Sequence, residues 1–253
     1  MQFQVAEIFT SINGEGMCAG ELAVFVRFCG CNLHCSYCDT TWANKPDCPH
    51  TLMTAEEIFA RICIEGIKNV TLTGGEPLLQ QGIEELLQML LREKSVHRVE
   101  IETNGSVALQ PFFALREKFE REFSNDSRMV ASQVLPEKCT GKKNDFKSRL
   151  VFTMDYKLAG SGMEACMCME NFRQLRFPDT VKFVVSDRAD LERAFAVAGQ
   201  YGLNGVCHII LSPVFDRIEP VKIVDFMKEQ RWNEARVQLQ LHKFIWAPDR
   251  TGV

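Results

Sequence analysis

Residues 23–40 read AVFVRFCGCNLHCSYCDT. The first six, AVFVRF at 23–28, are apolar except for Arg27 and predict a buried strand. Cys31, Cys35 and Cys38 follow it on one loop in a CxxxCxxC spacing. Soft thiolates grouped in this way select zinc or an iron–sulfur cluster. Structural zinc usually takes four protein ligands, often from two CxxC knuckles. A second knuckle is missing here, so a zinc ion would have to recruit Cys29 or Cys48. Three cysteines on one loop suit a cubane with three irons anchored and one left open.

Outward from this loop, the chain alternates short apolar strands with helical patterns. A helix is predicted at 54–66 (TAEEIFARICIEG), opened by Thr54 with Glu57 at capping-box spacing. Strands are expected at 70–73 (VTLT), 98–103 (RVEIET), 150–157 (LVFTMDYK), 180–186 (TVKFVVS) and 207–211 (CHIIL). Helices are expected at about 82–94, 187–200 and 218–230, and the alternating run VQLQLHKFIW at 237–246 reads as a final strand. This rhythm predicts an α/β fold of about six parallel strands, either an open doubly wound sheet or a partial barrel. Residues 116–149 break the rhythm; they are rich in charge and read as a helix followed by a surface insertion. The whole of 1–253 is expected to form one domain.

Composition narrows the function classes. The net charge is −4, which argues against a nucleic-acid binder with a broad basic face. MQFQVAEIFT at the start has no basic n-region or long apolar run, and no stretch approaches a membrane span, so a cytoplasmic protein is expected. Of the eleven cysteines, Cys18, Cys29, Cys31, Cys35 and Cys38 fall within 21 residues. Without an export signal, metal binding and free thiols are expected rather than a disulfide scaffold.

TGGEP at 73–77 follows the VTLT strand, and its paired glycines let a ligand approach the backbone closely. Taken alone it is a turn before a helix. One βα unit after the cysteine loop, it is better read as a cofactor site. With Tyr37 as the aromatic residue before Cys38, the two motifs resemble the radical S-adenosylmethionine superfamily. EIFTSINGEG (7–16), FVRFCGCNLHCSYCDT (25–40), ETNG (102–105), DYKLAGSGME (155–164) and QLQLHKFIW (238–246) further resemble the 7-carboxy-7-deazaguanine synthases. Two departures stand out: Asn13 where that family usually has Gln, and Ala159–Gly160 where it usually has Pro-Ser.

The resemblance implies a partial (β/α)6-type barrel and a carbon–nitrogen lyase. The reaction would convert 6-carboxy-5,6,7,8-tetrahydropterin to 7-carboxy-7-deazaguanine with loss of ammonia, on the route to queuosine. A 5′-deoxyadenosyl radical would abstract hydrogen from C6 of the pterin, with S-adenosylmethionine regenerated. Cys31, Cys35 and Cys38 would hold the 4Fe–4S cluster, and Thr40 with the substrate carboxylate would hold magnesium. Tyr37, Cys38, Asp39, Gly74, Gly75, Glu76, Asn104, Asp155, Tyr156 and Lys157 would bind S-adenosylmethionine. Ile12, Asn13, Gly14, Glu15, Arg27 and Thr73 would contact the substrate. A flavodoxin or ferredoxin-type donor and a homodimer are also implied, with no nucleic-acid or membrane partner.

The residues themselves allow plainer readings. Arg27 would otherwise be an edge-strand arginine in solvent, but a lone arginine in an apolar strand leading to the cysteines suits a two-pronged grip on a carboxylate. Thr40 would otherwise cap a short helix, and INGEG would be a turn with a solvent carboxylate. Glu102 ends its strand beside the cofactor, though ETNG also suits a simple turn. Gln238, Gln240 and His242 read as a polar outer face. Cys166 and Cys168 lack the companions of a second cluster, and Cys48, Cys63, Cys139 and Cys207 read as free thiols or core residues. Two alternatives remain at this level: a glycyl-radical activase, and a non-catalytic iron–sulfur or zinc module. The first lacks a use for Arg27 and INGEG; the second lacks one for TGGEP and DYK.

Overall fold

The computed structural model describes residues 1–124, 148–247 and 250–253. Among the described residues, nine strands form one sheet: β1 (Phe3–Ile12), β2 (Leu22–Phe28), β3 (Thr51–Met53), β4 (Asn69–Gly74), β5 (Arg98–Thr103), β6 (Leu150–Tyr156), β7 (Thr180–Val185), β8 (His208–Pro213) and β9 (Ala235–Val237). Their order is β3-β1-β2-β4-β5-β6-β7-β8-β9. β1 runs antiparallel to β2 and β3, and every pairing from β2 onward is parallel. The end strands β3 and β9 are not neighbours in that order, so the sheet is open, compatible with the expected partial barrel.

The α-helices of the described residues are α1 (Ala55–Glu65), α2 (Ile83–Arg92), α3 (Gln110–Ser124), α4 (Arg188–Gln200), α5 (Pro220–Gln230) and the short α6 (His242–Ile245). The Thr54–Glu57 box forms as expected: the Thr54 hydroxyl accepts the Glu57 N–H, and the Glu57 carboxylate accepts the Thr54 N–H. α2 buries Ile83, Leu86, Leu87, Leu90 and Leu91, the three-and-four spacing of one helix face. α3 covers the start of the charged stretch, and its Arg116 donates from Nη1 to both oxygens of buried Asp179, at 2.7 and 2.8 Å. The rest of the expected insertion, 125–147 with Cys139, lies outside the described residues.

The two-residue period of the strands sorts side chains onto two faces. Val24, Val26 and Phe28 on β2, Val70 and Leu72 on β4, Val99 and Ile101 on β5, Phe152 on β6, Phe183 on β7 and Leu211 on β8 all enter the main core. The alternate positions carry Arg27, Thr73, Glu102, Asp155 and Lys182, and these line a cavity. One correction concerns the C-terminal part. VQLQLHKFIW is not a strand: β9 ends at Val237, and α6 begins at His242. Gln238 and Gln240 spend their side chains on the 14–16 loop instead of a polar outer face, and His242 lines the cavity beside Gly14.

Candidate active site

The cavity, about 280 Å³, opens against the polar face of the sheet and is closed by loops. Cys31, Cys35 and Cys38 all line it. Their loop is fixed to the 158–163 turn: Ser36 donates its backbone N–H to the Ser161 carbonyl at 3.0 Å and its hydroxyl to the Gly160 carbonyl at 2.8 Å. N–H groups already face the sulfurs. The Leu33 amide and the Asn104 side chain each lie 3.4 Å from Cys31 Sγ, and the Asn44 amide lies 3.7 Å from Cys38 Sγ. Among the described residues, no three His, Cys, Asp or Glu side chains gather tightly enough to hold one metal ion. Three separated thiols with N–H donors fit a cluster whose irons are separately ligated.

Cys29 and Cys48 do not join this group. Both are buried with Ala43 in a small apolar cluster, their sulfurs 2.9 Å apart. Burial, then the Cys48 contact, pushes the Cys29 thiol up to about 12. Each is therefore the other's partner, and the fourth-ligand role that zinc would demand has no candidate there.

The TGG turn packs on the cluster loop. A Cβ on Gly75 would lie 1.8 Å from the Gly30 carbonyl oxygen, so only glycine fits, and the Gly75 and Glu76 amides donate to Phe28 and Gly30. Gly74 and Gly75 line the cavity. Glu76 does not. Its carboxylate is fully buried and accepts from the Leu78 amide (3.0 Å), the Thr103 hydroxyl (2.8 Å) and the Asn104 amide (2.6 Å). Tyr156 also misses the cavity, because the pleat turns it to the helix side, where its hydroxyl donates to Glu164. Asp155 and Lys157 do line the cavity, as do Tyr37, Asp39 and Asn104. Burial works to raise the Asp155 carboxyl, yet Lys157 and Lys182 outweigh it and hold it below its usual range. Thr40 lines the cavity as well, and its hydroxyl makes no capping bond to the short helical turn at Thr41–Asn44.

On the opposite side, the loop after β1 is folded over the open sheet. Gly16 exchanges two hydrogen bonds with the Gln238 side chain, and the Leu241 amide donates to the Gly14 carbonyl. Ile12, Gly14 and Glu15 thereby reach the cavity. Glu15 is not a solvent carboxylate. It pairs with Lys182 at 3.0 Å and accepts from the Ser212 hydroxyl at 2.9 Å. Arg27 is not in solvent either: its Nε donates to Glu7 at 2.7 Å, across the β1–β2 register. Glu102 also lines the cavity, and burial above all raises its carboxyl to about 7.

A model of the radical SAM superfamily matches residues 25–121. The chain is 47% identical over 253 residues to a 7-carboxy-7-deazaguanine synthase of Clostridium acetobutylicum, covering all of both chains. It is 35% identical to that of Chlorobaculum tepidum, over 98% of this chain and 96% of the relative. The chain belongs to the 7-carboxy-7-deazaguanine synthase family.

The fold agrees. The crystal structure of QueE from Escherichia coli superposes with a TM-score of 0.63 at 19% identity, over 95% of this chain and 94% of that one. Within the 7-carboxy-7-deazaguanine synthase family, the two departures in this chain have structural explanations. Asn13 is buried, and its side-chain oxygen accepts from the Thr71 hydroxyl at 2.9 Å, so it braces the loop and does not line the cavity. Gly160 sits against Asp190, where a Cβ would come within 2.5 Å of the carboxylate, and its amide donates to that carboxylate instead. The side chains missed in the sequence are Glu7, Lys182 and Ser212. Lys182 had a signal, being the lone charge of an apolar strand before its terminal Ser, as Arg27 is in β2.

Proposed function

We propose that this chain converts 6-carboxy-5,6,7,8-tetrahydropterin to 7-carboxy-7-deazaguanine with loss of ammonia. The observation that carries the reading is that one cavity unites Cys31, Cys35 and Cys38 with Arg27 and the Ile12–Glu15 loop. Its full-length likeness to the C. acetobutylicum enzyme supports it. Cys31, Cys35 and Cys38 would hold the 4Fe–4S cluster. Gly74, Gly75, Asn104, Asp155, Lys157, Tyr37 and Asp39 would surround S-adenosylmethionine. When bound, cluster and cofactor supply the one-electron chemistry that begins the ring contraction. The protein binds, orients and keeps water away. Arg27 would present its Nη groups to the substrate carboxylate while Glu7 holds Nε, and Glu15 would accept from the pterin's amine edge. Thr73 stands beside Arg27 in the β2–β4 register, next to the same carboxylate. Thr40 would offer a hard oxygen to magnesium, with the substrate carboxylate completing the ligands. A flavodoxin or ferredoxin-type donor, a homodimer, residues 1–253 acting as one domain and a cytoplasmic location complete the reading. Among the described residues, no helix is long and apolar enough to cross a membrane.

The test is anaerobic reconstitution with iron and sulfide counted, followed by product formation from the carboxypterin. Arg27→Ala should retain cluster and S-adenosylmethionine binding but weaken the substrate well over tenfold, since truncating one partner of such a pair costs about 2–5 kcal/mol. Arg27→Lys should recover only part, because an ammonium lacks the planar fork. An analogue without the carboxylate should bind wild type and Arg27→Ala equally. Equal weakening of both ligands would refute the carboxylate assignment.

A further inference from the structure

Three charged side chains meet where the two halves of the cavity join. Lys182, on β7, is nearly buried, and its ammonium lies 3.0 Å from Glu15 Oε2 and 3.1 Å from Asp155 Oδ1. Asp155 is its register partner on β6, and the second Asp155 oxygen pairs with Lys157 at 2.5 Å. Glu15 comes from the far side, on the loop after β1, where Ser212 of β8 holds its other oxygen. Burial alone would lower the Lys182 pKa, but Asp155, Glu15 and Glu102 outweigh it and hold the ammonium well above its usual value.

A buried ion pair is weak evidence for a stabilising role, because apolar side chains of similar size commonly do as well. Here all three groups line the cavity, and apolar replacements would leave two carboxylates facing each other across it. We infer that Lys182 is a positioning residue for both halves of the site, one ammonium fixing Glu15 toward the pterin and Asp155 toward S-adenosylmethionine. This rests on the proposed function, in which Glu15 meets substrate and Asp155 meets cofactor. Glu15 sits on a loop with no strand pairing of its own at that residue, so its rotamer depends on these side-chain partners. Among the described residues, Lys182 is the only cation at ion-pair distance from Glu15, whereas Asp155 also has Lys157. The substrate half should therefore suffer more than the cofactor half.

The experiment measures dissociation constants for 6-carboxy-5,6,7,8-tetrahydropterin and for S-adenosylmethionine on anaerobically reconstituted wild type, Lys182→Met, Glu15→Gln and the double variant. Lys182→Met should weaken substrate by about thirtyfold and the cofactor by about threefold, with cluster content unchanged. Lys182→Arg should restore most of the substrate affinity. In the Glu15→Gln background, Lys182→Met should add less than about threefold to the substrate constant, since residues acting as one unit are not additive. A purely structural lysine would instead weaken both ligands by the same factor in either background, and that result overturns the inference. Unchanged substrate binding in Glu15→Gln would sink the Glu15 assignment itself, which is a separate failure. If Lys182→Met does not fold, Lys182→Gln carries the same four-way comparison.

Discussion

Glu76 belongs to the GGE segment that the family resemblance assigns to cofactor binding, yet its carboxylate faces the protein. Replacing it with alanine removes the acceptor for two buried backbone amides, those of Leu78 and Asn104, and for the Thr103 hydroxyl. An unsatisfied buried donor costs about 1–3 kcal/mol, and the hydroxyl is free to rotate, so the two amides set the scale at about 4 kcal/mol. Burial already pushes the Glu76 carboxyl up to about 7, which disfavours its ionised form and offsets part of that gain. A net loss of about 3 kcal/mol remains, and for a chain of this size each kcal/mol moves Tm by about 2–4 °C. Glu76→Ala should therefore melt about 6–12 °C below wild type at pH 8, followed by far-ultraviolet circular dichroism under anaerobic conditions. Glu76→Gln, which keeps one acceptor but turns an amide N–H2 toward a donor, should fall between. A Tm within about 2 °C of wild type, combined with loss of S-adenosylmethionine binding, would refute the reasoning and return Glu76 to the cofactor.

Cys31→Ala, Cys35→Ala and Cys38→Ala should each abolish cluster absorbance, while Cys29→Ala and Cys48→Ala retain it; a cluster lost on changing Cys29 would overturn the three-ligand assignment. Thr40→Val should blunt the response of turnover to added magnesium while leaving S-adenosylmethionine affinity near wild type, and an identical magnesium titration would count against that ligand. Glu102 is raised from the usual 4.5 to about 7, so the folded state holds its proton more tightly than the unfolded state. Its stabilising contribution is present at low pH and is lost as pH rises across that window, by at most about 3 kcal/mol. Glu102→Gln should therefore gain stability relative to wild type between pH 5 and pH 8 in urea titrations. A difference that stays flat with pH would show that Glu102 ionises normally.

Much of this protein is written in local sequence. The strand-and-helix rhythm places every parallel strand from β2 to β8, because two-residue and 3.6-residue periods are local properties of the chain. The capping box opens α1 where the sequence puts it, and the CxxxCxxC loop and TGG turn stand out by spacing, while the cofactor role expected of them comes from the family resemblance. Strand alternation even contains the division between core and cavity: Tyr156 must face the helices if Asp155 faces the site. What the sequence does not determine is which distant segment supplies each partner. Glu15 looks like a solvent carboxylate until the loop after β1 folds over the open sheet and meets Lys182, 167 residues away. Arg27 acquires Glu7 only through the antiparallel register of β1 with β2. Gln238 and Gln240 alternate like a strand, yet β9 stops at Val237 and their amides hold the 14–16 loop. Pairing of buried charges and amides depends on the register of distant strands and on which loops fold over the open sheet, and no local pattern in the chain encodes that packing.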